Sequence, residues 1–172
     1  MAIQRLGYDF FQRDVIEVAP ALLGQILVCK LPDGSSERRI ITETEAYNGE
    51  DDLACHASKG KTERNNVMYE RGGLIYVYLV YGMYWMLNIV TGKINQPQAV
   101  LIRGIEGYNG PGKLTKFLQT DKSFYGEDLT TSVRIRIEPS LKKHSYVTTP
   151  RIGIDYAGEY WKNIPWRYVL KK

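Results

Sequence analysis

Sulfur and histidine are scarce in this chain. Its two cysteines, Cys29 and Cys55, are too few for a disulfide framework and suit a reducing compartment. The only histidines are His56 and His144, and no CxxC or HExxH spacing exists. Cys55 and His56 are adjacent, so they point different ways from an extended backbone, and neither a metal site nor a cofactor is expected. The absence of GxGxxG, GxxxxGK(S/T) and GxSxG disfavours dinucleotide, P-loop and α/β-hydrolase chemistry. The longest apolar run, Leu74 to Tyr81, is less than half a bilayer span, so no transmembrane helix and no membrane partner are expected. The N-terminus, Met1 to Leu6, lacks an apolar region and a cleavage site, so no secretion signal is expected. No repeat, low-complexity tract or long linker divides the chain, and residues 1–172 read as one domain.

What is present is a core and an uneven charge. Of the 172 residues 44% are hydrophobic and 12% aromatic, ample for a globular interior and too apolar for a disordered tail. The net charge of +4 hides an asymmetry. Residues 1–52 carry five basic and ten acidic side chains, whereas residues 53–172 carry eighteen and nine. Basic surface beside the acidic group Glu43, Glu45, Glu50, Asp51 and Asp52 suits a polyanion binder with a catalytic carboxylate; ordinary solvated charge is the alternative.

The order of elements points to an α+β domain built on antiparallel sheet. Asp14 to Leu23 reads as a helix, with Asp14 as N-cap, Gly24 as stop, and Pro20 inside it leaving the start open. Gln25–Lys30 and Arg38–Thr44 flank the turn Pro32-Asp33-Gly34 as a hairpin, with Glu45 at the exit of its second strand. Asn48 to Gly73 is a long polar connection carrying His56, the kind of loop that often bears function. Strands are predicted at Leu74–Tyr81, Tyr84–Val90, Val100–Ile105, Val133–Ile137, Arg151–Ile154 and Trp166–Leu170, and a helix at Pro111–Leu118.

Three groups of residues carry chemistry. Alternation along Ile40 to Tyr47 puts Glu43, Glu45 and Tyr47 on one strand face, either a tunable general-base site or a solvent-facing polar edge. Tyr76, Tyr78, Tyr81, Tyr84 and Trp85 are dense around the turn at Gly82-Met83. Aromatics in strands usually pack a core, but a hairpin tip has little core to face, and an aromatic there can wedge between stacked bases. Arg103 interrupts the apolar run Val100-Leu101-Ile102; it either pairs with Glu43 or Glu45, or faces water from an edge strand. Asn88, within Leu87-Asn88-Ile89, requires a partner if it is buried.

Taken together, Arg5-Leu6-Gly7, Phe10-Phe11, Thr42-Glu43-Thr44-Glu45-Ala46-Tyr47, His56, Arg64-Asn65, Leu74-Ile75-Tyr76-Val77-Tyr78, Tyr81-Gly82-Met83-Tyr84, Asn88, Leu101-Ile102-Arg103 and Gly110-Pro111-Gly112-Lys113-Leu114 form a pattern. With these motifs the chain closely resembles the alkyladenine (3-methyladenine, methylpurine) DNA glycosylase family over nearly all of residues 5–170. The likeness is thinner beyond about Ser132, and Cys55 stands where a small residue is usual. The segment between Glu106 and Gly110 looks shorter than in vertebrate members.

The resemblance implies a single mixed domain around a curved antiparallel sheet with a protruding β-hairpin, similar to the C-terminal domain of methionyl-tRNA formyltransferase. It also implies roles. Glu45 matches the carboxylate that activates water, and Arg103 the arginine that helps position it. Tyr47 and His56 match the pair that sandwich a flipped base, Tyr78 an aromatic at its edge, and Asn88 the asparagine that discriminates against guanine. Tyr81 matches the residue inserted into DNA, with Met83 and Tyr84 as its neighbours on the hairpin. The implied activity is monofunctional excision of alkylated or deaminated purines (3-methyladenine, 7-methylguanine, hypoxanthine, ethenoadenine) from double-stranded DNA, with no lyase step because no motif lysine is placed as a Schiff-base nucleophile. A monomer is expected, in the cytoplasm with the nucleoid if bacterial and in the nucleus if eukaryotic. The alternative is a catalytically inactive nucleic-acid-binding module of the same fold.

Overall fold

A computed structural model describes residues 4–172, so the N-terminal reading of Met1 to Ile3 lies outside the described residues. Two short helices open the chain, α1 (Tyr8–Phe11) and α2 (Val15–Ala21). The Asp14 carboxylate accepts from Ile16 N–H and caps α2, and Pro20 falls in its last turn, which ends the helix earlier than the pattern suggested. Strands β1 (Ile26–Lys30) and β2 (Ser36–Asn48) follow as a hairpin. At its turn the Asp33 side chain accepts from Ser35 N–H at 2.8 Å, and Gly34 supplies a left-handed φ of 88°.

Strands β3 (Ile75–Val80), β4 (Tyr84–Thr91), β5 (Gln98–Ile105) and β6 (Tyr108–Asn109) come next, then helix α3 (Pro111–Leu118). The chain closes with β7 (Ile135–Glu138), β8 (Tyr146–Thr149), α4 (Glu159–Asn163) and β9 (Arg167–Leu170). All strand pairs are antiparallel, in the order β3-β4-β5-β2-β1-β7, with β6 on β5 and β8-β9 on β2. Among the described residues this is an α+β arrangement around one largely antiparallel sheet.

β2 organises the molecule. Its first residues pair with β1; then, past a register irregularity at Glu43, it runs on between β5 and β9. Glu45 is therefore not at a strand exit: Ala46, Tyr47 and Asn48 find partners in Val100, Ala99 and Gln98, and the strand continues. Burying Phe11, Val18, Leu22, Ile41, Ile75, Ile89, Ile102 and Leu114 in one cluster supplies the main apolar driving force. Two hydroxyls tie the helices to the sheet, Thr44 to Ala19 O on α2 and Thr115 of α3 to Trp85 O.

Arg151–Ile154 is not a strand. Gly153 takes a φ of 76°, and the Ile152 N–H bonds to a carboxylate rather than to a ladder carbonyl, so the segment runs into a 3-10 turn, Asp155–Ala157. The short elements α1, β6, β8 and α4 carry too few residues for a periodicity to declare them. No helix among the described residues is long and apolar enough to cross a membrane.

Candidate active site

Strand register assembles the site. Glu45 lies opposite Leu101, Leu101 opposite Asn88, and Asn88 opposite Tyr76, so four side chains form a row across β2, β5, β4 and β3. Period-2 alternation adds their neighbours on the same face: Tyr47 on β2, Arg103 on β5, and Tyr78 on β3. Above this floor opens a cavity of about 600 Å³, walled further by Cys55, His56, Arg64, Tyr81 and the segment Ile152–Ile154 with Tyr156.

Glu45 is 0% exposed and sits beneath the cavity wall. Its Oε1 accepts the Tyr47 hydroxyl at 2.9 Å and lies 3.6 Å from a guanidinium nitrogen of Arg103; its Oε2 accepts the Ile152 N–H at 2.7 Å. Burial pushes its pKa above the ordinary carboxylate range, against the Arg103 charge and these two donors, which lower it. Arg103 does pair with acids, and with both candidates: its Nε donates to Glu43 Oε1 at 3.1 Å. The same Glu43 oxygen accepts Arg167 Nε at 2.5 Å, so Glu43 orients one guanidinium and is held by another. The arrangement joins a base-competent carboxylate, a fixed cation and an aromatic hydroxyl within one hydrogen-bonded group.

His56 enters from the long loop, which is more structured than its composition indicated. It contains 3-10 turns at His56–Lys59 and Asn66–Tyr69, and the buried Asn65 amide donates to the carbonyls of His56 and Gly60. His56 Nδ1 lies 2.7 Å from the Tyr76 hydroxyl, and its ring is 4.4 Å from that of Tyr78. Burial, with the Arg64 and Lys59 charges, lowers its pKa to about 4, so the imidazole is neutral at pH 7. Asn88 has its partners, donating to Tyr76 O at 3.2 Å and Met86 O at 3.4 Å. Cys55 lines the cavity with its thiol pushed up to about 11 by burial, which leaves it protonated and weakly nucleophilic.

Tyr81 stands at the rim, 87% exposed, on the turn between β3 and β4. Tyr81 and Gly82 have φ of 54° and 66°, and Met83 N–H bonds to Val80 O at 3.1 Å, the geometry of a type I′ turn. A tyrosine held there costs about 1–2 kcal/mol of backbone strain. Met83 and Tyr84 flank it and are also exposed. Of the nine residues given roles by the resemblance, Tyr47, His56, Tyr78, Tyr81, Asn88 and Arg103 line this cavity, Glu45 lies behind Tyr47 and Arg103, and Met83 and Tyr84 stand on the hairpin. Ile152, Arg151 and Tyr156 were missed, and Asp52 was named only within the acidic group, because nothing local in Arg151-Ile152-Gly153 marks a loop that folds back over β2. Among the described residues no group of three metal-binding side chains occurs.

The profile of the methylpurine-DNA glycosylase family matches residues 9–108 and 107–172. The chain belongs to that family. It is 46% identical to a protein of Methanocella arvoryzae, covering 96% of this chain and 92% of the relative. It is 39% identical to one of Natranaerobius thermophilus, covering 97% and 96%. It is 44% identical to one of Borrelia garinii subsp. bavariensis, covering 94% of each. All three are provisionally named 3-methyladenine DNA glycosylases. Membership in the methylpurine-DNA glycosylase family sets this chain among the DNA-binding glycosidases of base excision repair.

Proposed function

We propose that this methylpurine-DNA glycosylase family member flips damaged purines out of duplex DNA and hydrolyses their N-glycosidic bond, leaving an abasic site. The observation that carries the proposal is the buried Glu45–Arg103–Tyr47 group at the foot of an aromatic cavity whose rim bears an exposed tyrosine. Tyr81, with Met83 and Tyr84 beside it, fills the space the nucleotide vacates, offsetting the cost of unstacking. The extruded purine lies between Tyr47 and neutral His56, with Tyr78 at its edge. Alkylation puts positive charge on the purine, which the tyrosine faces attract. Asn88 lines the cavity where the purine's edge would lie and discriminates there against guanine's exocyclic amine.

Water held by Glu45 and Arg103 attacks C1′ as the glycosidic bond breaks. Its proton passes to the Glu45 carboxylate and the bonding electrons leave with the purine. Before the proton moves, the carboxylate also stabilises the oxocarbenium-like charge on the sugar. Because Glu45 is sealed by the Tyr47 hydroxyl and the Ile152 N–H, one of those bonds opens to admit the water when substrate binds. 3-Methyladenine, 7-methylguanine, hypoxanthine and ethenoadenine are the substrates this reading takes, in double-stranded DNA, by one monomeric domain spanning residues 1–172, acting at the nucleoid if the cell is bacterial and in the nucleus if it is eukaryotic. Strand cleavage is not part of the reaction in this reading, since among the described residues no lysine lines the cavity to form a Schiff base. The fold this reading takes is similar to the C-terminal domain of methionyl-tRNA formyltransferase, a reading that the antiparallel sheet supports.

Single-turnover excision from a labelled duplex carrying one hypoxanthine, ethenoadenine or 3-methyladenine, with and without alkali, tests the proposal. Wild type is expected to give breaks only after alkali. Glu45→Gln is expected to bind the duplex but excise nothing, and Tyr81→Ala to excise more slowly. Duplex binding with no excision of any lesion by wild type makes the protein a binding module instead.

A further inference from the structure

The proposed chemistry uses Glu45, Arg103 and Tyr47, yet the most completely buried cation among the described residues lies one layer behind them. The Arg151 side chain is 0% exposed, as is its partner Asp52. Their contact is a two-point fork: one terminal nitrogen donates to Asp52 Oδ2 at 2.6 Å and the other to Asp52 Oδ1 at 3.0 Å. The first nitrogen also donates to Ala46 O on β2 at 2.9 Å. Asp52 in turn accepts the N–H groups of Asn48 and Ala54, each at 3.0 Å, and so closes the loop that leads to His56.

Two aromatic rings also lie beside the guanidinium. Its carbon lies 4.9 Å from the centre of the Tyr47 ring and 5.1 Å from that of Trp166. Trp166 is backed by Trp161 at 6.1 Å. The next residue along the chain is Ile152, whose N–H holds Glu45 Oε2. A buried ion pair is a costly way to gain stability, since desolvation cancels most of its attraction, whereas its fixed geometry can specify a position. Here it lies next to two parts of the site at once: the Tyr47 ring in space, and along the chain Ile152, the donor to Glu45.

We propose that Arg151, locked by Asp52, is a positioning residue for base excision: it sets the Tyr47 face and the Ile152 N–H that orients Glu45. The assignment rests on the glycosylase reading above. The role requires the fork and the two ring contacts, not charge alone, so lysine cannot replace it. The ionisable and charged groups facing Glu45 are Arg103 on β5, Tyr47 on its own strand, Tyr78 on β3, and Tyr156 and Arg151 on the returning segment.

Two variants of the full chain test this. Arg151→Lys keeps the charge and loses the fork; the double variant Arg151→Met with Asp52→Asn removes both charges and leaves neither ion unpaired, which preserves folding. Single-turnover excision, duplex affinity by fluorescence anisotropy, thermal unfolding, and the titration of the Glu45 carboxyl by carbon NMR are measured for each. In both variants the excision plateau is expected to fall by about 10- to 100-fold. Duplex affinity is expected to stay within about threefold, and the Glu45 midpoint to move to higher pH as the Ile152 donor loosens. An unmoved midpoint, full rescue by lysine, or a rate that falls only with the folded fraction overturns the assignment. If wild type excises no lesion yet the Glu45 midpoint rises in the variants, the glycosylase reading fails, and Arg151 stands as the residue that sets the Ile152 donor on Glu45 but not as one for base excision.

Discussion

Replacing Tyr47 by phenylalanine isolates one hydrogen bond at the centre of the site. The ring keeps its shape and its contact with Arg151, and only the hydroxyl that donates to Glu45 Oε1 at 2.9 Å disappears. A buried hydrogen bond to an ionised carboxylate is worth about 1.5–3 kcal/mol. That bond favours the ionised form, so losing it raises the Glu45 midpoint further above its already raised position. Excision needs the carboxylate, so the acid limb of the single-turnover rate moves upward by the same amount, while the plateau at high pH stays within a few-fold and duplex affinity is unchanged. Stability supplies an independent check. A carboxyl whose folded-state pKa is raised contributes stability below its unfolded pKa and loses it as pH rises through the folded value. The variant therefore unfolds more easily than wild type by about 1.5–3 kcal/mol at alkaline pH, and the difference shrinks below the ordinary carboxylate range. An acid limb that does not move, with a stability difference independent of pH, refutes the reasoning.

His56 gives a slope of opposite sense. Its folded pKa of about 4 lies below the ordinary 6.5, so its contribution is full above 6.5 and falls as pH drops towards 4. The loss amounts to about 3 kcal/mol, and urea unfolding at pH 7, 5.5 and 4 should show that part of the slope vanish in His56→Gln. Gly112 offers a test of the hairpin's support, because a Cβ there would lie 2.8 Å from Tyr84 Cδ1. Gly112→Ala is expected to lower stability by about 1 kcal/mol, through overpacking relieved by an exposed ring. It is also expected to weaken duplex affinity as Tyr84 is displaced; an unchanged melting temperature and affinity would show that α3 does not brace the hairpin.

Much of the scaffold was legible because it depends on local signals. The helix Pro111–Leu118 is found with the predicted bounds, marked by proline at its first position, and the Asp14 cap and the Pro32-Asp33-Gly34 turn each work through a side chain two residues away. The alternation that put Glu43, Glu45 and Tyr47 on one face also holds, and Arg103 meets both carboxylates named for it. The extent of β2 was misread because its last residues look polar and owe their strand geometry to β5. Arg151–Ile154 was misread for the converse reason: its branched residues favour extension, but Gly153 and the pull of Asp52 and Glu45 turn the segment over the cavity.

The sequence by itself therefore determined which residues are chemically unusual: a guanidinium in an apolar strand, tyrosines on a tight turn, two carboxylates two positions apart. Each is a property of neighbours within a few residues, so it survives in a string of letters. Only the tertiary structure decided that these residues share one cavity, that Glu45 is wholly buried, and that His56 is neutral. Those are consequences of strand register and of segments about a hundred residues away, such as the Ile152 N–H on Glu45, and burial and Coulomb interaction act across space rather than along the chain.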